Sequence, residues 1–144
     1  MEVFIRTATL NDAPSISNLS DQLGYQSGIS ETEKRLQAVL QDGNNCVFVA
    51  VVDEKIIGWI HGFYTVRVES DPFTEIGGLV VDENYRRQNI GKLLINKIVE
   101  WALARENKTV RVRCNTIRKG SHQFYLALGF AEVKEQKVFQ IQLN

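Results

Sequence analysis

The chain has little of what marks several large classes of protein. It contains only two cysteines, Cys46 and Cys114, and no Cys-x-x-Cys pair, so the sequence supports neither a disulfide framework nor a structural zinc site. The formal net charge is zero, so no overall positive field draws the chain to nucleic acid or to a membrane surface. No apolar run reaches membrane-spanning length, and the first residues lack the apolar core of a signal peptide. We therefore expect a cytoplasmic protein.

Two common phosphate-binding motifs are also missing. No GxxxxGKS or GxxxxGKT stretch occurs, which excludes a P-loop of the Walker type. No GxGxxG follows the first strand-like run, which argues against a dinucleotide site of the Rossmann type. If the chain binds a phosphorylated cofactor, the binding groups must come from another kind of turn.

The patterns that are present indicate a single mixed α/β domain over residues 1–144. The chain is long enough for one core, and 44% of its residues are apolar. Alternating and helical periodicities predict the element order β-α-α-β-β-β-α-β-α-β, with at most one further strand. We therefore expect a sheet of six or seven strands flanked by about four helices, and not a doubly wound βαβ repeat.

Short segments make several of these elements specific. The runs CVFVAVV and IIGWIHGFYTVRV, joined by Asp-Glu-Lys, predict a β-hairpin. Gly77 and Gly78 interrupt the next strand-like run and predict a bulge or a close approach of another backbone. Gly129 predicts the end of the helix KGSHQFYLAL. Residues 131–133 and 138–143 are strand-like and predict further strands at the end of the sheet.

A basic turn, YRRQNIGKLL over residues 85–94, lies between a strand-like run and the longest predicted helix. The start of a helix has unpaired N–H groups and carries roughly +0.5 elementary charge, which attracts anions. Gly91 permits a close approach, and Asn89 is the kind of residue that most readily adopts positive φ without being glycine. The cationic side chains of the turn are Arg86, Arg87 and Lys92. Taken alone, these residues fit an anion site and a solvated basic turn equally well.

The longer stretch EIGGLVVDENYRRQNIGKLL resembles the acetyl-CoA-binding motif of the GCN5-related N-acetyltransferases (GNAT). The signature of that family is Q/R-x-x-G-x-G/A. Arg86 takes its first position and Gly91 its last, whereas Asn89 stands where the family most often has glycine. Asn115, followed by SHQFYLALGF over residues 121–130, resembles the asparagine and the FYxxxGF segment of the family. Because the opening FIRTATLNDAPSI also resembles a GNAT opening, the resemblance covers essentially the whole chain.

The resemblance implies a mostly antiparallel sheet with a V-shaped split between the fourth and fifth strands. Acetyl-CoA would bind as a co-substrate, with no metal. Its pantetheine arm would pair with the main chain of the fourth strand, and its pyrophosphate would lie against the amides of the basic turn. The residues expected to contact the cofactor are Leu79, Val80, Val81, Arg86, Arg87, Gln88, Asn89, Ile90, Gly91, Lys92, Asn115, Ser121, Phe124 and Tyr125.

The implied reaction is direct transfer of an acetyl group from the thioester to a primary amine in a ternary complex. A main-chain N–H of Leu79 or Val80 would stabilise the oxyanion. Tyr125 is the candidate acid for the departing thiolate, the alternative being a packed aromatic residue beside Phe124. Glu75 is the candidate base, the alternative being a carboxylate that faces solvent at the start of a strand.

The acceptor site is implied to involve residues 21–31 and 65–73, where acidic side chains suit a cationic amine. Tyr25, Trp59 and Tyr64 are candidates for its aromatic walls. A small-molecule amine is favoured, because we expect no second domain that would recruit a protein.

Other functional interpretations stay open at this stage. The acceptor could instead be a protein lysine or N-terminus, and the chain could be a coenzyme A sensor without catalysis. Basic residues between positions 105 and 119 allow an RNA-binding domain, which the absence of interleaved aromatic residues disfavours. A homodimer is a further expectation from the resemblance. His61 lies within a strand, where a structural histidine is the favoured interpretation.

Overall fold

A computed structural model describes the chain except for residues 1, 25–27, 115 and 117. Residue contacts divide it into two compact units, Met1–Val112 and Arg113–Asn144. The elements of the first unit are β1 (Phe4–Thr7), α1 (Ala13–Asp21), α2 (Ile29–Gln41), β2 (Asn45–Val52), β3 (Lys55–Thr65), β4 (Phe73–Val81), α3 (Ile90–Ala104) and β5 (Val110–Val112). The second unit contains α4 (Lys119–Ala127). No helix in the described part of the chain is long and apolar enough to cross a membrane.

The described strands form one sheet in the order β1-β2-β3-β4-β5. Neighbouring strands are antiparallel except β4 and β5, which are parallel. β5 is short and pairs only with residues 74–76 of β4, so residues 77–81 continue beyond it. The predicted opening between the fourth and fifth strands is confirmed, and so is the mostly antiparallel sheet.

The β2–β3 connection shows how local sequence defines one part of the sheet. Asp53 and Glu54 both have positive φ, 48° and 64°, and Lys55 is already the first residue of β3. Two consecutive residues with positive φ are typical of the tight hairpin turns that match the twist of paired strands. The predicted hairpin is therefore confirmed, with a two-residue turn.

Helices cover the two faces of the sheet. On one face, α3 packs so closely that a β-carbon built on Gly62 would lie 2.6 Å from Ile98. On the other face, α1 and α2 contribute Ala13, Ile16 and Leu36 to an apolar cluster with Val47 and Val49 of β2. The sheet is thus enclosed between α3 on one side and α1 with α2 on the other. Trp59 of β3 packs against this apolar cluster, so its side chain lies on the face of the sheet that α1 and α2 cover.

The start of α1 is held by an ion pair with a buried carboxylate. Arg6 donates two hydrogen bonds to the Asp12 carboxylate, at 2.8 and 2.9 Å, and the Thr9 amide donates a third at 2.8 Å. These hydrogen bonds, led by those from the guanidinium, lower the pKa of Asp12, which is only 5% exposed. Because Asp12 is the N-cap residue of α1 and Arg6 belongs to β1, the contact joins β1 to α1.

In the second unit, α4 ends just before Gly129, whose φ of +95° confirms the predicted helix end. The strands predicted at residues 131–133 and 138–143 are wrong, since residues 131–144 form no strand. The apolar side chains of this segment are 72–88% exposed. A sequence pattern identifies an extended segment, but a strand also needs a hydrogen-bonded neighbour. The described sheet therefore has five strands and not six or seven.

Candidate active site

A bulge interrupts β4 where the sheet opens. His61 of β3 lies opposite Gly78 and Gly62 lies opposite Ile76, so Gly77 is an extra residue without a partner. Such a bulge bends a strand and changes the direction of its N–H groups. The bulge predicted from the Gly-Gly pair is confirmed.

Side chains of β3 explain why glycine occupies both positions. A β-carbon on Gly77 would lie 2.8 Å from Nδ1 of His61 and 3.0 Å from Cε1 of Phe63. A β-carbon on Gly78 would lie 2.7 Å from Cη2 of Trp59. Non-bonded atoms do not approach this closely. The rings of β3 therefore occupy the space that a side chain at position 77 or 78 would need.

Beyond the bulge, Leu79, Val80 and Val81 pair with β3 on one side only. On their other side β5 has already ended, at the level of Ile76. Among the residues that the structure describes, main-chain groups that point to this side have no partner strand. An unpaired strand edge is a template for another extended chain. This edge matches the one expected to bind the pantetheine arm.

The basic turn that follows has the conformation expected of an anion site. Asn89 has φ 64° and ψ 15°, a left-handed conformation, and is the N-cap of α3. The prediction that Asn89 adopts the conformation usual for glycine is confirmed. Leu93 makes the first main-chain bond of the helix, its N–H to the Asn89 carbonyl at 3.1 Å. The amides of Ile90, Gly91 and Lys92 therefore precede that first bond and are left for other acceptors.

Asp82 attaches the start of this turn to the hairpin. Its carboxylate accepts a bond from the Asn84 amide at 3.0 Å, and its own amide donates to the Ile57 carbonyl at 2.8 Å. Asp82 is 4% exposed, and Lys55 lies 3.9 Å from it. The main chain leading into the turn is thus fixed, whereas Arg86, Arg87, Gln88, Asn89 and Lys92 extend into solvent.

Glu75 is buried, with 8% of its surface exposed. It lies opposite Phe63, two residues before the bulge, and therefore on the face of the sheet that carries His61. The alternative in which Glu75 faces solvent is wrong. A buried carboxylate beside the opening can hold a cation or accept a proton.

The face of β3 that lies across the bulge carries polar groups that sequence reasoning did not assign. Nε2 of His61 lies 2.7 Å from Oδ1 of Asn45, and the His61 ring lies beside Phe63 with centroids 5.4 Å apart. Nε1 of Trp59 and Oγ1 of Thr65 are buried without a partner among the described residues. The alternation Trp-x-His-x-Phe-x-Thr opposite a Gly-Gly pair was the available signal for these residues.

The aromatic side chains expected to line the acceptor site lie on different faces of the sheet. Trp59 lies on the face that α1 and α2 cover. Tyr64 is separated from it by an odd number of positions along β3, so its side chain points to the opposite face, which α3 covers. The Tyr64 ring is 5.7 Å from the Arg105 guanidinium at the end of α3. The two therefore do not form one wall. Tyr25 lies outside the described residues.

The second unit carries the candidate acid. The Tyr125 ring packs edge-on against Phe124 and Phe130, with centroids 5.1 and 5.4 Å apart. Burial raises the pKa of Tyr125 to about 12, with a smaller contribution from Cys114 in the same direction. The phenol therefore keeps its proton at neutral pH. Ser121 lies on the same helix, and Asn115 lies outside the described residues.

The part of the chain with assigned structure contains no group of three or more His, Cys, Asp and Glu side chains arranged to hold a metal ion. Both cysteines are free.

A family model described as the acetyltransferase (GNAT) family matches residues 14–130. The match includes β4, the basic turn, α3 and α4. The chain belongs to this family, and the resemblance seen in its sequence is confirmed.

Two related proteins have names that state an activity. The chain is 28% identical over 97 residues to N-acetylaspartate synthetase of Xenopus tropicalis, which covers 67% of this chain and 35% of the relative. It is 33% identical over 87 residues to an uncharacterised N-acetyltransferase of Methanocaldococcus jannaschii, which covers 59% of this chain and 38% of the relative. The chain thus spans little more than a third of the length of these relatives.

A solved structure with the same fold is that of the enzyme AAC(6')-Iy in complex with the bisubstrate analogue CoA-S-monomethyl-acetylneamine. The TM-score is 0.88 at 19% sequence identity, over 99% of this chain and 100% of that one. At this identity the likeness establishes the fold alone.

Proposed function

We propose that the chain transfers the acetyl group of acetyl-CoA to a primary amine. The observation that carries this proposal is the combination of a one-sided strand edge at Leu79–Val81 with a left-handed Asn89 that leads into α3. An extended arm fits the first feature and a pyrophosphate fits the second, and coenzyme A has both. Membership of the acetyltransferase family supports the same reading.

In this proposal the main chain of Leu79, Val80 and Val81 binds pantetheine. The amides of the turn from Arg87 to Lys92 bind the pyrophosphate, and the exposed cationic side chains of the turn strengthen the attraction. Asn115, Ser121, Phe124 and Tyr125 are also proposed to contact the cofactor.

The proposed chemistry needs a base, an oxyanion donor and an acid. Glu75 accepts a proton from the acceptor ammonium, directly or through one water, and so frees the lone pair for attack. A main-chain N–H just beyond the bulge, that of Leu79 or Val80, donates to the oxyanion. Tyr125 gives its proton to the departing thiolate and regains one from solvent, which suits a phenol that stays protonated at neutral pH.

We propose a small-molecule amine as the acceptor. The AAC(6')-Iy complex contains an analogue that joins coenzyme A to neamine, and the synthetase relatives are named for an acetylated amino acid. The buried Glu75 and the aromatic surface of Trp59 suit a small cationic group. The alternatives are a protein lysine or N-terminus and a coenzyme A sensor without turnover.

The direct experiment follows free thiol released from acetyl-CoA in the presence of neamine, spermidine, L-aspartate and a lysine peptide. We expect release with at least one small amine. Binding of acetyl-CoA without release for any acceptor would favour the sensor, and release only with the peptide would favour protein acetylation.

Two variants assign the proposed roles. Tyr125→Phe is expected to lower kcat by about 10²-fold with little change in acetyl-CoA affinity. Glu75→Gln is expected to flatten the rise of rate with pH. An unaffected kcat, or an unchanged pH profile, would remove the corresponding residue from the mechanism.

We also propose that the chain forms a homodimer through the exposed tail, defined as residues 131–144. The observation is the apolar surface of this tail, where Phe139 is 88% and Ile141 80% exposed. A second copy that covers the tail would remove this surface from water.

Sedimentation should show a dimer that Phe139→Glu dissociates, whereas the control Leu103→Glu on α3 leaves it intact. A monomeric wild-type protein would contradict the proposal.

A further inference from the structure

His61 has two ring nitrogens in different surroundings, and only one of them is used by the fold. Nε2 lies 2.7 Å from the Asn45 side-chain oxygen on the neighbouring strand. An amide oxygen can only accept a hydrogen bond, so Nε2 carries the hydrogen. In a neutral imidazole the other nitrogen, Nδ1, then has a free lone pair.

Nδ1 faces the bulge of β4. A β-carbon on Gly77 would lie only 2.8 Å from it, so this edge of the ring lies against the glycine main chain. Gly77 itself is exposed, and His61 is partly exposed. A small molecule that reaches the bulge from the face of α1 and α2 therefore meets Nδ1.

Burial favours the neutral form of the ring. Burial lowers the pKa of His61 below its ordinary value. On β2 its neighbours are the uncharged Asn45 and Val47, and on β4 the charged group of the same face is Glu75. Asp12, at the start of α1, is paired with Arg6. The side chains that α1 and α2 bury on this face carry no charge: Ala13, Ile16, Ser17, Leu19 and Leu36.

We propose that His61 is a catalytic residue that takes the second proton of the reaction at Nδ1. This inference rests on the proposed acetyl transfer. An acceptor ammonium must lose two protons to become an amide. The first leaves before attack, to Glu75 in the mechanism above, and the second leaves the positively charged nitrogen of the tetrahedral intermediate.

Position favours His61 for the second proton. After attack the nitrogen is bonded to the carbonyl carbon, whose oxygen is held by an N–H just beyond the bulge, and Nδ1 lies at that bulge. Transfer of the proton to Nδ1 lets the C–S bond break and the C–N bond remain. The thiolate takes a proton from Tyr125, and the imidazolium returns its own to solvent, so one proton is released per amide formed.

The test compares wild type with His61→Gln and Asn45→Asp, using neamine, spermidine or L-aspartate as acceptor. Since neutral His61 is required, the wild-type rate falls as the pH drops through its lowered pKa. Gln cannot take the proton, so we expect kcat to fall about 10²-fold with unchanged acetyl-CoA affinity. Asp at position 45 stabilises the imidazolium, so the acid limb of the pH profile should move to higher pH.

The control is His122→Gln, which removes the other histidine of the chain and should leave the limb at the wild-type pH. If wild type is active but the limb does not move in Asn45→Asp, or His61→Gln keeps full kcat, His61 takes no proton and only the present proposal is overturned. Wild type that transfers acetyl to none of the three amines would instead overturn the proposed small-amine transfer, and this inference with it.

Discussion

The opening beside β4 and the tail of residues 131–144 contrast in how their side chains are used. At the opening, Glu75 is buried, rings of β3 lie within 3 Å of where a β-carbon on Gly77 or Gly78 would be, and Asn89 is left-handed. In the tail, every residue is exposed although the pattern is strand-like. The first region is built by contacts within the chain, and the second has surface that lacks a partner among the described residues. The same kind of apolar pattern therefore has different consequences, depending on whether a neighbour is present.

Truncation of apolar side chains should give the largest difference between a packed element and the tail. Ile98 on α3 is fully buried, so Ile98→Ala is expected to cost about 2–5 kcal/mol in unfolding free energy. Phe139→Ala, in the tail, should change the unfolding free energy of the monomer by less than about 0.5 kcal/mol. Urea denaturation at low protein concentration measures both. A similar loss in the two variants would mean that the tail is packed within the monomer.

The ion pair at the start of α1 tests how much one polar contact contributes. Asp12→Asn removes charge-assisted bonds from Arg6 and should cost about 1.5–3 kcal/mol. Because the pKa of Asp12 is lowered in the folded protein, the contribution is present above the ordinary carboxyl pKa and is lost as the pH falls through the lowered value. Wild type and variant should therefore converge in acid. A constant difference down to low pH would assign the effect to packing.

Substitution of glycine should affect stability differently at a position crowded by rings and at an open position. Gly77→Ala places a carbon against His61 and Phe63 and should destabilise the fold by about 1–3 kcal/mol. Gly120→Ala on α4 meets no atom within 4 Å and should be neutral or stabilising by up to about 1 kcal/mol. Thermal denaturation of the two variants gives the comparison. An unaffected Gly77→Ala protein would show that the rings of β3 can move away.

The smallest effect is expected at the turn. Asn89→Ala places a residue that disfavours positive φ in a left-handed position, at a cost of about 1 kcal/mol. Asn89→Gly removes this strain and should match or exceed the wild-type unfolding free energy. If the two variants are equally stable, the backbone at residue 89 is not held in the left-handed conformation.

Local signals were sufficient for much of the site. The bulge follows from Gly77-Gly78 and the end of α4 from Gly129. The conformation of Asn89 follows because asparagine adopts positive φ more readily than other non-glycine residues. Each of these depends on main-chain geometry within a few residues. For that reason, a sequence pattern alone could predict them.

Pairing between distant segments was not predictable in the same way. His61 meets Asn45 only because of the register between β2 and β3, so the role proposed for it was not visible in the sequence. The strands predicted at 131–133 and 138–143 failed for a related reason, because alternation does not supply a hydrogen-bonded neighbour. The burial of Glu75 also depends on strands that are distant in sequence.

Calorimetric titration with acetyl-CoA tests most directly whether the β4 edge and the Asn89 turn form its site. We expect wild type to bind one molecule per chain and Asn89→Gly to bind equally or more tightly. In Asn89→Ala we expect the affinity to fall by about tenfold, which corresponds to about 1.4 kcal/mol. The Gly120→Ala protein, altered at an open position, should bind as wild type does. Absence of binding to a folded wild-type protein, or equal affinity in all four proteins, would contradict this assignment of the site.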